Sequence, residues 1–233
     1  MSDFFNYETY ILISSDKFII SVYSNENKKV YEEKLIFDDI SIQINFEKLD
    51  YFLNENIFRI EKKINTFVKK ILIIFDLDIF FPLEIAVKKN NYENNFTLDN
   101  LNHTLNDIRD CCKKTIYGKK IVHMIINNYY IDDKNFSFFP EGIKSNNFSL
   151  DLKFICISLN LIKDLEKILK KYQISISQIV SAKYIENFMP HDEKDIFLMA
   201  KKIINGHNPN EVLLVNKTPK NKGFFEKIFH FFS

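Results

Sequence analysis

Residues 120–132 read KIVHMIINNYYID, and residues 147–159 read NFSLDLKFICISL. The first is dense in β-branched and aromatic residues, and the second carries Phe148, Phe154, Ile155 and Ile157 among leucines. Between them, residues 132–147 (DDKNFSFFPEGIKSNN) gather Asp, Asn, Ser, Pro and Gly, the turn formers. Two strands flanking a turn-rich stretch is the reading. Working outward, Leu161, Leu165, Ile168, Leu169 and Tyr172 recur at three- and four-residue steps, the stripe of an amphipathic helix running to KKYQ. ISISQIVSAKYI (174–185) then resumes strand character.

On the other side, Leu101, Leu105, Ile108 and Cys112 line one face of a helix whose N-cap is Thr97. KNNYENN (89–95) reads as a polar loop and LEIAVKK (83–89) as a strand. Earlier still, Leu49, Leu53, Ile57, Ile60, Ile64, Phe67 and Ile71 predict one long helix over 46–71, which Asp76 and Pro82 end. The chain begins with three short β-rich runs, YILISS, FIISVYS and KKVYEEKLIF. After Pro190, DEKDIFLMAKKIIN predicts a short helix stopped by Gly206, and 207–223 read as a mostly extended linker. No internal repeat is visible. Strands and helices in this order predict a mixed α/β (α+β) fold with mixed sheets.

Composition fits a globular chain. The 233 residues are 46% hydrophobic and 27% charged, with length enough for a substantial core. The net charge of +1 gives no argument for nucleic acid. Arg59 and Arg109 are the only arginines, whereas phosphate recognition favours the arginine fork. Cys111, Cys112 and Cys156 are too few for a disulfide framework and are expected reduced, in a cytosolic setting. The N-terminus lacks the pattern of a signal peptide, and the longest apolar run, ILIIF, is far short of a membrane span.

Catalytic, cofactor-binding and metal-binding residues are all expected to be none. His103 lies eight residues from Cys111, which is not a zinc spacing. His123 sits in an apolar strand and reads as a satisfied core or edge histidine. Asp76 and Asp78 in FDLD read as a turn. The four glycines, at 118, 142, 206 and 223, make no phosphate-binding motif.

The C-terminal KGFFEKIFHFFS (222–233) carries the one interaction signal. At helical spacing Phe224, Phe225, Ile228, Phe229, Phe231 and Phe232 share an arc of about 160°. Glu226, Lys227, His230 and Ser233 occupy the other side, and Lys217, Lys220 and Lys222 lead in. The pattern predicts an interfacial membrane helix binding through the apolar six with Lys222 and Lys227. The competing reading is a helix that packs back on the domain.

The stretch 119–182 resembles the FtsA family, bacterial actin homologues that tie the tubulin-like ring protein FtsZ to the inner membrane. IVHMIINNYYID is similar to the family's hVIPqeyxID strand. FPEGIKSNNFSLDLKFIC is similar to its dPxGlxGxxLxxxxhiV segment, through Pro140, Gly142, Leu150 and the strand after it. LNLIKDLEKILKKYQISISQIVSAKYI resembles the helix and strand that follow, and the tail lies where the family keeps a membrane-targeting helix. The resemblance implies half of an actin-like fold, its first subdomain, with an inserted SHS2-like subdomain and a C-terminal amphipathic helix. Its expected boundaries are 1–90 and 159–190 for the actin-like part, 91–158 for the insert, 191–221 for a short helix and linker, and 222–233 for the anchor.

The departures bear on function. Where the family's first strand ends in a D-I-G-T phosphate loop, this chain reads LISSD, with Leu12 at the Asp position and Ser14 at the Gly position. The resemblance runs out after Ile185, so the family's second phosphate loop, adenosine pocket and FtsZ-tail site have no counterpart in it. Together these imply a non-enzymatic FtsA-like adaptor without cofactor. It would sit on the cytoplasmic face of the inner membrane at the division site, meeting divisome proteins through the SHS2-like unit and anionic lipid through the tail. Self-association is a further expectation. The alternative is a degenerate actin-like ATPase subunit that completes its nucleotide site with a partner chain.

Overall fold

A computed structural model describes residues 7–38, 43–190 and 194–212, without the side chains at 91–94 and 113. Three strands open the chain as a meander: β1 (Tyr7–Ser14), β2 (Lys17–Ser24) and β3 (Lys29–Ile36). Helix α1 (Phe46–Ile64) then crosses over to β4 (Lys70–Asp76), which pairs parallel to β1. A parallel neighbour demands such a crossover, because a tight turn can only return the chain antiparallel. With β9 (Ser175–Ser181) added parallel to β4, the first sheet runs β3-β2-β1-β4-β9.

Both faces of this sheet are covered, which is why its central strands read as unbroken apolar runs. Ile11, Ile13, Ile71, Ile73 and Phe75 face a core shared with α1 and with α3 (Leu159–Lys171). Tyr10, Leu12, Leu72, Ile74 and Val180 face the opposite core, under α4 (Ala182–Glu186) and α5 (Ile196–Ile204). Alternate residues of one strand thus feed two cores.

The predicted helix over 46–71 ends at Ile64. Asn45 caps its start, accepting from the Lys48 amide at 2.9 Å, and Asn65 ends it in the left-handed region at φ 55°. Ile71 keeps the helical spacing by coincidence and lies on β4, fully buried between β1 and β9. Asparagine tolerates positive φ better than most residues, so Asn65 is the physical stop.

The second sheet runs β5-β8-β6-β7, with β5 at Phe81–Asn95, β6 at Lys119–Ile131, β7 at Lys134–Phe136 and β8 at Lys144–Ser158. The two strands first read from the sequence, β6 and β8, pair antiparallel at its centre. β5 pairs with β8 from Phe81↔Cys156 to Asn95↔Lys144. The polar KNNYENN is therefore strand rather than loop, and the second sheet takes in the chain from Phe81, ten residues before the expected position 91. A strand edge can carry such polar residues because only its backbone is obliged to pair.

Helix α2 (Leu98–Thr115) lies on this sheet as its stripe predicts. Leu101, Leu105, Ile108 and Cys112 are buried with Met124, Ile126, Leu150, Leu152 and Phe154. Thr97 is its N-cap, in a reciprocal box with Asn100. Two further differences from the sequence reading are local. The AKYI of the expected final strand is helical, because Ser181 Oγ accepts from the Tyr184 amide at 3.4 Å and starts α4. The segment after Gly206 is not free of the body: the Val212 amide donates to the Met124 carbonyl at 2.8 Å, and the Ile126 amide to Asn210 at 2.9 Å.

Candidate functional site

The residues expected to bind membrane, Lys222, Phe224, Phe225, Lys227, Ile228, Phe229, Phe231 and Phe232, lie outside the described residues. Those that the sequence weighed and set aside can be placed. His103 and Cys111 are exposed on α2, while Cys112 and Cys156 are buried, and burial pushes both of those thiols up. Among the described residues no three His, Cys, Asp or Glu side chains gather as a metal site. Asp76 ends β4 and Asp78 stands exposed in the bend after it.

The β1–β2 turn, where the resemblance places a phosphate loop, is closed upon itself. Ser14 is buried, and its Oγ donates to Asp16 Oδ1 at 2.6 Å while accepting from the Lys17 amide at 3.2 Å. Asp16 also pairs with Lys17 at 3.3 Å, and its carbonyl accepts from the Phe37 amide at 2.7 Å. The Ser14 hydroxyl holds the Asp16 carboxyl below its ordinary range, against a smaller burial effect and with help from Lys17. Leu12 lies two residues back, 6% exposed in the core beneath α4 and α5. The side chain at that position therefore faces hydrocarbon.

A second polar constellation was not anticipated. His123 of β6 is 3% exposed, and its Nε2 accepts from the Ser181 amide at the end of β9, 3.3 Å away. A backbone N–H can only donate, so Nδ1 carries the ring proton and gives it to Glu211 Oε1 at 2.7 Å. Tyr184 donates to the other oxygen, Oε2, at 2.8 Å, and Asn208 Nδ2 donates to the Tyr184 hydroxyl at 2.9 Å. The His123 and Tyr184 rings lie 4.3 Å apart. Burial raises the Tyr184 hydroxyl well above its ordinary value; Glu211 raises it further and Asn208 opposes.

These residues come from both sheets, from α4 and from the segment following α5. The sequence identified His123 as a satisfied histidine but gave no signal for Glu211 or Asn208, which stood in a presumed linker. The geometry is not that of a nucleophile with its base. The one imidazole nitrogen able to accept is engaged by an amide, and Ser181 Oγ caps α4 instead of meeting it. His123 and Glu211 also line a cleft of about 600 Å³ between β6 and β9, together with Arg109, Lys119 and Lys120.

The chain is thus a mixed α/β protein of two sheets and five helices among its described residues. No family model and no curated protein sequence matches it. Among solved structures it is similar to a chain of the PilM-PilN type IV pilus biogenesis complex, with 8% identity and a TM-score of 0.45 over 76% of this chain and 48% of that one. It is also similar to the cytoplasmic domain of EpsL, an inner-membrane component of the type II secretion system of Vibrio cholerae. There the identity is 8% and the TM-score 0.39, over 81% of this chain and 61% of that one. This chain spans less than two thirds of either, and neither bears on the FtsA family specifically. No helix among the described residues is long and apolar enough to cross a membrane.

Proposed function

We propose that this chain is a non-enzymatic, FtsA-like adaptor that attaches to the cytoplasmic face of the inner membrane and joins proteins of the division machinery. The observation that carries the non-enzymatic part is the β1–β2 turn. A phosphate cradle offers unspent backbone donors and an organising carboxylate. Here Ser14 and Asp16 satisfy each other, and Leu12 fills the core where the carboxylate would stand. Attachment rests on the apolar arc of 224–232 with its flanking lysines. The division partners, expected on the unit built around α2, β6 and β8, rest on the resemblance of 119–182.

A fluorescent fusion of the full chain, observed in dividing bacteria, tests the assignment. Mid-cell rings that disperse when 222–233 are deleted are the expected result. A uniform envelope pattern that survives this deletion would remove both the division role and the anchor. Calorimetry of the purified chain with Mg-ATP tests the rest: binding at micromolar concentration would replace the adaptor reading with the degenerate ATPase.

A further inference from the structure

The cluster around Glu211 has a property that its pairwise bonds do not show singly: its protons are fully allocated. Ser181 N–H points at His123 Nε2, His123 Nδ1–H at Glu211, Asn208 at the Tyr184 oxygen, and Tyr184 O–H at Glu211. Two chains of donors therefore converge on one buried carboxylate. A proton added at His123 Nε2 faces the Ser181 N–H. A proton added to Glu211 faces either the His123 Nδ1–H or the Tyr184 O–H, and Asn208 prevents the tyrosine from turning its donor away usefully. Every extra proton sets one buried donor against another, and a donor left unpaired in that environment is costly.

What the cluster holds is a strap. Residues 205–212 cross from the end of α5 to the edge of β6, where Glu211 forms a bridge with Ile125 and the amides of Val212 and Ile126 are bonded across. Asn208 and Glu211, which supply two of the four side chains, both belong to it. Two backbone bonds join it to β6, Ile126 to Asn210 and Val212 to Met124; Asn210 Nδ2 also donates to the Ser137 carbonyl at 2.8 Å, and the amides of Gly206 and His207 bond back to α5. The Glu211 carboxylate ties the strap to β6 through His123 and to α4 through Tyr184.

We propose that His123, Glu211, Tyr184 and Asn208 form a proton-sensitive latch, which keeps the strap seated across the junction of the two sheets near neutral pH and frees it on acidification. Other charged or titratable groups near it are few. Arg109 and Cys112 of α2 and Lys119 and Lys120 of β6 line the cleft on which His123 and Glu211 border; β9 brings no titratable group there, contributing Ser177, Gln178, Ile179 and Val180, and α5 brings Ile204. On α4, Lys183 and Glu186 are exposed, and on the strap His207 packs against Phe188.

Hydrogen–deuterium exchange on the full chain tests this at about pH 7.5 and about pH 5, spanning the ordinary histidine range, with rates corrected for intrinsic exchange. Peptides covering 205–212 and 124–126 should exchange at least about tenfold faster at the lower pH, while β1 and β4 stay protected. His123→Gln offers an amide oxygen to Ser181 and an N–H to Glu211 but takes no proton, so its strap should stay closed at both values. Glu211→Gln places a donor among donors and should open the strap at both. Nitrogen-detected NMR of the wild-type histidines gives a reading independent of any variant: His123 should carry its proton on Nδ1 at neutral pH. Equal protection at the two pH values, a pH response retained in His123→Gln, or an Nε2–H tautomer would each overturn the latch.

Discussion

Restoring an aspartate at position 12 separates a closed, non-catalytic turn from a phosphate loop awaiting its partner. Leu12 is 6% exposed and shares its core with Ile74, Val180, Met199 and Ala200. Leu12→Asp forfeits the burial of a leucine side chain, about 2–3 kcal/mol. The carboxyl must then be buried charged, or protonated at pH 7 from an ordinary value near 3.9, which costs up to about 4 kcal/mol. The sum, about 6 kcal/mol, compares with a total stability of about 5–15 kcal/mol for a typical domain. Urea unfolding followed by circular dichroism should show most of the stability lost, and the sign implies partial recovery toward acid pH as the carboxyl protonates. The folded remainder should gain no affinity for Mg-ATP in calorimetry. A Leu12→Asp protein that melts near wild type and binds Mg-ATP would refute the reasoning, since its side chain would have to face a nucleotide site rather than a core.

Three further outcomes are expected. Leu105→Asp removes a buried contact between α2 and the second sheet, so it should cost about 3 kcal/mol or more; unchanged thermal stability would mean the helix does not lie there. Gln173 is exposed at φ 59° after α3, and Gln173→Gly should stabilise by about 0.5 kcal/mol, the relief of left-handed strain exceeding the added chain entropy; thermal unfolding reads the sign. Phe225→Glu combined with Phe229→Glu should abolish co-sedimentation with anionic liposomes and leave the melting temperature nearly unchanged, whereas early melting with lipid binding intact would assign the tail to the core.

The sequence by itself determined the elements whose cause is local. The stripe Leu101, Leu105, Ile108 and Cys112 with its Thr97 cap fixes α2, because side-chain spacing and an N-cap act within a few residues. The β-branched and aromatic residues of β6 and the apolar ones of β8 likewise marked the two central strands of the second sheet. The same local rules carried the first helix too far. Three- and four-residue spacing runs through Ile71, but burial between β1 and β9 makes that segment a strand, and both neighbours are distant in sequence, Leu72 pairing with Tyr10 and Ile71 with Ile176. Composition made 89–95 look like a loop, while the backbone of β8 recruits it as an edge strand. Tertiary structure alone decided the polar cluster. His123 and Glu211 are separated by 88 positions, and nothing near either one names the other. A periodic pattern records which face of an element is buried; it does not record which distant donor will meet a carboxylate once the two sheets are joined.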